Sequence, residues 1–229
     1  TTVSLLTKRQ RKADFLQSLS YNDLKTLWQC NDKIAAENVE RLAHMELPGN
    51  TPAILSYDGI TFQYMAPSVF EDGHFDYVQE HLRILSAFYG ILKPMDAVTP
   101  YRLEMQAKAN VAGTKNLYDF WGDSLYEEVR DSSGIIVNLA SKEYSKCIEK
   151  YLTPEDTYIT CIFAEQVGEK LVQKGVYAKM ARGDMVRFMA ERNIEDPKDM
   201  QAYNRLGYTF SPEHSTESNF VFLKQTKSI

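Results

Sequence analysis

Apolar positions along the chain follow two periods. From Asn22 to about Met45, Leu24, Leu27, Trp28, Ile34, Val39 and Leu42 recur near helical spacing, with Asn22 or Asp23 placed to cap the start, and "ELPGNTP" stops the run. "AILSYDGITFQYM" predicts a short buried strand, a turn at Tyr57-Asp58-Gly59, and a further element of either type. "EDGHFDYVQEHLRILSAFYG" is amphipathic through Phe75, Val78, Leu82 and Leu85, with a strand from Ile84 to Tyr89 as the alternative for its end. Gly90 then closes the helix or opens a turn at positive φ. "NLYDFWGDSLYEEVRDSSG" predicts an aromatic-rich helix ended by Ser-Ser-Gly, and "GIIVNLASKEYSKCIEKY" a buried strand passing into a helix near Asn138 to Ser141. "DTYITCIFAEQVGEKLVQKGVYAKM" reads as a β-hairpin with Gly168 near its tip, followed by a helix over "ARGDMVRFMAERN". The elements predict an α+β fold, a mixed sheet wrapped by helices in a single compact domain over residues 1–229.

The chain's 229 residues, 44% hydrophobic and 25% charged, suit a globular protein, and no apolar run approaches the roughly 20 residues that span a bilayer, so no membrane partner is expected. Cys30, Cys147 and Cys161 are widely spaced and odd in number, which predicts a reducing compartment, the cytoplasm, with no disulfide framework or zinc pattern. The start at Thr1, with Lys8, Arg9, Arg11 and Lys12 and no apolar stretch of signal-peptide type, leads us to expect that a preceding segment is absent.

The formal net charge of -5 argues against coating nucleic acid by bulk charge, but its distribution is uneven. Between Lys170 and Arg192 there are six basic and two acidic residues, a formal +4 against -9 elsewhere. On a helix from Lys179 to Arg192, Met180, Ala181, Met185, Phe188 and Met189 share one arc, and Lys179, Arg182 and Arg187 fall opposite. This is either a solvated helix face or an anion site in which Gly183 and first-turn N–H groups receive a phosphate beside Lys179 and Arg182.

In "PYRLEM", Arg102 and Glu104 lie two apart and share a side if the segment is extended, forming either an ion pair or a phosphate-binding Arg with a carboxylate base. "VNLASKEY" sets Asn138, Ser141, Lys142 and Glu143 at a strand end, where open α/β sheets collect ligands; capping by Ser141 is the simpler reading. Tyr118, Phe120 and Trp121 can stack on bases, although core packing suits Phe120 and Trp121 better. His74 and His81 lack further ligands at metal spacing, and no GxSxG elbow, Walker motif or dinucleotide glycine motif occurs, so neither metal nor cofactor is expected.

Four segments, "FDYVQEHLRILSAFYGILKPMDAVTPYRLEM", "LYDFWGDSL", "VNLASKEY" and "YAKMARGDMVRFM", in this order and spacing, resemble the YaaA-like peroxide stress resistance family of bacterial cytoplasmic proteins. The resemblance spans about Leu55 to Phe222. It implies protection from hydrogen peroxide with lower free iron and less DNA damage, and binding of double-stranded DNA. It also implies a mixed sheet wrapped by helices, a basic cleft, and a helix-hairpin-helix-like element carried by "LRILSAFYGILKPMD", its hairpin at Phe88, Tyr89, Gly90, Ile91 and Leu92. A Ser-Pro-Ala-Lys-like segment that usually opens the family is absent here.

Tyr89 stands where such a hairpin has Pro, and Leu92 replaces its second Gly, so side-chain charge from Lys93, Arg102, Lys179, Arg182 and Arg187 carries the expected phosphate binding. One wall of the cleft would be Ser86 to Met105 and the other the Lys179 to Arg187 helix, with little base-specific reading. The alternative is an enzyme acting on a nucleotide or damaged base, with Glu104 or Asp123 as acid or base and Asn138, Lys179 and Arg182 holding a nucleotide-like small molecule.

Overall fold

The computed structural model describes residues 3–47 and 49–224. In chain order it forms α1 (Val3–Ser18), α2 (Tyr21–Trp28), α3 (Asp32–Ala43), β1 (Thr51–Pro52), α4 (Ala53–Ser56), α5 (Ile60–Met65), α6 (Asp72–His81), β2 (Ile84–Ser86), β3 (Gly90–Leu92) and β4 (Ala97–Val98). Then come α7 (Leu117–Trp121), α8 (Ser124–Val129), β5 (Ile135–Asn138), α9 (Lys142–Glu149), β6 (Thr157–Val167), β7 (Lys170–Val172), α10 (Gly175–Arg192), β8 (Tyr208–Phe210) and β9 (Asn219–Lys224). Helices and a mixed sheet make this an α+β fold, as the pattern predicts. The chain groups into two compact units, one of residues up to Ser56, Arg83–Val129 and Ser141–Leu152, the other of Tyr57–Leu82, Arg130–Ala140 and residues from Thr153 on.

In the first unit, polar caps set the helix starts. Ser20 accepts from the Asp23 N–H to open α2, and Asn31 accepts from the Ile34 N–H to open α3. The single helix predicted from Asn22 to Met45 is therefore two, because Gln29 turns left-handed at φ 46° and ends α2. "AILS", predicted as a strand, is the short helix α4. The Ala53 and Ile54 N–H groups donate to the Asp96 and Pro94 carbonyls at 2.9 and 3.0 Å, so this backbone pairs with a loop. The aromatic-rich segment is likewise two short helices, α7 and α8, separated at Gly122 with φ 58°.

The centre of this unit is an antiparallel hairpin, β2 paired with β3 in the register Ile84↔Leu92, Leu85↔Ile91, Ser86↔Gly90. The strand alternative for Ile84 to Tyr89 thus prevails at its start, and where the resemblance implies a helix-hairpin-helix-like element, residues 84–92 form two short strands joined by a turn at 87–89. The reason is packing. Ala87, Phe88, Tyr89, Ile91 and Leu92 are all buried, and Gly90, at φ +84°, lies so close to Trp121 that a Cβ there would come within 2.8 Å of the indole. The Ser86 hydroxyl accepts from the Tyr89 N–H at 2.8 Å, and Trp121 Nε1 donates to the Ala87 carbonyl at 3.0 Å.

The second unit is built on a sheet ordered β5-β6-β9-β8, with β7 folded back on β6. β5, β6 and β9 run parallel, while β8 and β7 are antiparallel to their neighbours. The hairpin with Gly168 near its tip forms as predicted. Ile159, Cys161 and Phe163 of β6 and Phe220 and Phe222 of β9 share one core cluster with Ala178, Ala181, Met185 and Phe188 of α10. α10 also crosses α5 at very close range: a Cβ on Gly183 would lie 1.9 Å from the Thr61 carbonyl oxygen. The helix is therefore buried on more than the single arc its periodicity suggests, with Gly183, Val186 and Ala190 buried too.

Candidate anion-binding site

In the first unit, Arg102 extends along the end of α2. Its Nη2 donates to the Trp28 carbonyl at 3.3 Å and lies 3.6 Å from Glu104 Oε1. The expected closeness of Arg102 and Glu104 is present, but at the long end of ion-pair range and half-exposed, which makes it a weak pair. Arg102 and Glu104 line a recess with Leu27, Trp28, Gln29, Gln106 and Ala107. Arg102 Nε and Trp28 Nε1 are both buried there without a hydrogen-bond partner among the described residues. Lys93 is exposed; its N–H donates to Asp96 Oδ2 at 2.9 Å and its side chain stands free of ion pairs among the described residues. Asp123 is exposed at the head of α8 and sets its charge near Lys8. The hairpin residues Phe88, Tyr89, Ile91 and Leu92 are core, and two of their carbonyls accept from Arg9: its Nε donates to Tyr89 O at 2.8 Å and its Nη2 to Ile91 O at 3.2 Å.

In the second unit, Asn138 is buried at the end of β5, where its Oδ1 accepts from the Ala140 N–H at 2.9 Å and its Nδ2 donates to Thr160 Oγ1 at 3.4 Å. Both ends of the amide are committed to the strand-to-helix junction. α10 begins at Gly175, so Gly183 sits mid-helix against α5 and not in the first turn, and its N–H belongs to the helix ladder. Arg187 is not free either, because its Nε donates to Glu191 Oε1 at 2.6 Å, and Glu191 also receives Arg205. Lys179 is exposed with no ion pair among the described residues.

Arg182 differs from all of these. It lies beside Cys161 on the β6 side of α10, where burial lowers its pKa from the ordinary arginine value despite the neighbouring thiol. Its Nε is buried without a partner, and no carboxylate pairs with it among the described residues. A guanidinium taken out of water without a counter-charge is costly, and an arriving anion would offset that cost. Ser141 occupies the cap position of α9 without a side-chain cap bond, so the capping reading of that serine is not realised. Phe120 and Trp121 are core, as expected, and the Tyr118 hydroxyl donates to the Glu143 carbonyl at 3.0 Å.

The burial of Lys12 has no counterpart in the sequence reading, which named it only among the basic residues near the start. Its ammonium nitrogen lies 3.6 Å from the centre of the Trp121 ring and 4.6 Å from that of Phe120, and it donates to the Lys8 carbonyl at 3.0 Å. Burial pushes its pKa down to about 6, with Arg9 and Lys8 adding repulsion. The signal for it was helical spacing: Lys12 is one turn from Lys8 and Leu16, and Leu16 is buried.

Among the described residues no helix is long and apolar enough to cross a membrane. The family model described as "Peroxide stress protein YaaA" matches residues 1–214. A relative named "UPF0246 protein" from Agathobacter rectalis is 63% identical over 210 residues, 91% of this chain and 84% of its own. A second of that name, from Lachnoclostridium phytofermentans, is 51% identical over 227 residues, 99% of this chain and 89% of its own. A third, from Desulfitobacterium hafniense, is 54% identical over 220 residues, 96% of this chain and 88% of its own. With a family model covering nearly its whole length and relatives at more than half identity, this chain belongs to the peroxide stress protein YaaA family.

Proposed function

We propose that this protein acts in peroxide defence by binding double-stranded DNA along its phosphates, with little preference for sequence. The observation that carries the reading is Arg182, a largely buried guanidinium whose Nε has no partner among the described residues. Lys179 on the same helix, and Lys93 and Arg102 in the other unit, supply further cations that are exposed or only weakly paired. Phosphate contacts made by such groups position a protein without reading bases. Neutralising phosphates also releases the cations condensed on the duplex. Ferrous iron held on the backbone would be released with them, lowering the iron available at DNA to react with peroxide.

Duplex affinity measured against salt tests this, comparing the intact protein with an Arg102→Ala/Lys179→Ala/Arg182→Met variant. Each lost phosphate contact should flatten the slope by about one unit. Equal slopes in the two proteins, or negligible binding by the intact one, would remove the DNA reading. A second reading, an enzyme acting on a nucleotide or damaged base, draws on Glu104 lining the same recess as Arg102. Glu104→Gln separates the two within the same experiment: lost peroxide protection with unchanged DNA affinity supports the enzyme.

A further inference from the structure

Between β3 and β4 the chain reverses in a four-residue turn, Lys93 to Asp96, whose main chain is pinned from both sides. Within the turn, the Asp96 N–H donates to the Lys93 carbonyl at 3.0 Å, and the Lys93 N–H donates to Asp96 Oδ2 at 2.9 Å. From α4, the Ala53 and Ile54 N–H groups hold the Asp96 and Pro94 carbonyls, and β4 pairs with β1 directly after the turn. Pro94 is buried at the second position, but Met95, at the third, is 48% exposed. Turns ordinarily carry Gly, Asn, Asp or Ser at their tips. A single exposed apolar side chain is common on protein surfaces. What sets Met95 apart is its place at the apex of a fixed turn, two residues from Lys93, an exposed lysine without an ion pair among the described residues. The carboxylate of the same turn, Asp96, is turned back onto the Lys93 N–H.

We propose that this turn is a wedge for duplex DNA: with Lys93 on a flanking phosphate, the Met95 side chain enters the minor groove and inserts between two base pairs. Apolar side chains, methionine among them, act in this way elsewhere, and the opened step bends the duplex by roughly 20–90°. The inference rests on the DNA reading and adds to it a residue that no charge-based argument selects. An inserted side chain reads no base edge, so the wedge suits a protein that binds unrelated sequences. The pinned main chain suits it too, because a tip that had to be ordered on binding would lose part of the gain.

Duplex bending tests the wedge. A short duplex labelled at both ends for energy transfer is titrated with the intact protein and with three variants. The intact protein should raise the energy transfer saturably as the ends approach. Met95→Ala should bind about tenfold more weakly and leave the duplex straight at saturation, whereas Met95→Leu, which keeps an apolar side chain, should bend it as the intact protein does. Lys93→Ala should bind more weakly, with a salt slope flatter by about one unit, yet still bend the duplex once bound. Binding that leaves the duplex straight, or a bend that Met95→Ala retains, overturns the wedge and keeps the DNA reading. Absence of binding by the intact protein overturns both.

Discussion

At the scale of single residues, Lys12 is the clearest case of a side chain whose charge state depends on the fold. In the unfolded chain its amine has the ordinary pKa near 10.5; in the folded protein burial holds it at about 6. The charged form is therefore disfavoured by folding. The cost is absent above about pH 10.5, where both states are neutral, grows as pH falls, and is complete below about 6. Lys12→Met, which keeps the length and apolar stem without the amine, should stabilise the protein by about 3 kcal/mol at pH 7, allowing for the lost ring contact. The gain should shrink by about 1.4 kcal/mol per pH unit on going up to pH 9. Urea unfolding of both proteins across that range measures it, and a variant less stable at every pH would show that the amine's contacts with Trp121 and Phe120 outweigh its desolvation. The cysteines follow the same physics: burial pushes the Cys147 and Cys161 thiols up to about 12, which leaves them almost without thiolate at neutral pH and slow toward peroxide.

At the scale of elements, the crossing of α5 and α10 is set by one residue. Because a Cβ at position 183 would stand 1.9 Å from the Thr61 carbonyl oxygen and 2.9 Å from the Met65 N–H nitrogen, Gly183→Ala must push two backbones apart. Overpacking of this kind costs about 1–3 kcal/mol or more, so we expect a loss near the top of that range in urea unfolding, against about 1 kcal/mol of gain if only helix propensity counted. A stabilised variant would mean that the helices separate freely. The elements legible in the sequence were those whose apolar pattern matched their burial: β6 and α10, the latter through Ala181, Met185 and Phe188, whereas β5 forms where a buried strand was expected but leaves Ile135 exposed and only Asn138 buried. Those misread turned on a non-glycine residue at positive φ, as at Gln29, on a glycine break within an apolar run, as at Gly122, or on backbone paired to loops, as at Ala53 and Ile54, none of which leaves a mark in hydrophobic spacing. The β2–β3 hairpin was ambiguous because a segment buried on all sides, Ala87 to Leu92, has no period to read.

At the scale of the whole molecule, the surplus of +4 between Lys170 and Arg192 is smaller in effect than in count. Lys174 pairs with Glu165 at 2.5 Å and Arg187 with Glu191 at 2.6 Å, which leaves Lys170, Lys179, Arg182 and Arg192 without an ion pair among the described residues, Arg192 lying over the Phe188 ring. Sequence alone located the basic segments but not all of the charges already neutralised, because Glu165 is brought to Lys174 by the fold of the β6–β7 hairpin, whereas Glu191 lies one helical turn from Arg187. With so few free cations on a chain of net charge -5, affinity for DNA should be modest at physiological salt and steeply improved at low salt. Two duplexes of unrelated sequence should compete within about threefold of each other, since phosphate contacts carry no base information; a preference above about tenfold would require base contacts at residues not considered for that role.

Arg9 has a bearing on how the protein is made. Its guanidinium, on α1, satisfies the carbonyls of Tyr89 and Ile91, while Lys8 from the same helix reaches the Trp121 carbonyl at 2.9 Å. At ribosomal rates of about 5–20 residues per second, roughly 6–20 s separate the emergence of α1 from that of Trp121. During that interval a basic helix waits for carbonyls that have not yet been synthesised, and the nascent chain carries an unmatched row of cations past an anionic ribosome. Completion of the first unit is then a single late event, in which hairpin, aromatic cluster and N-terminal helix close on one another together.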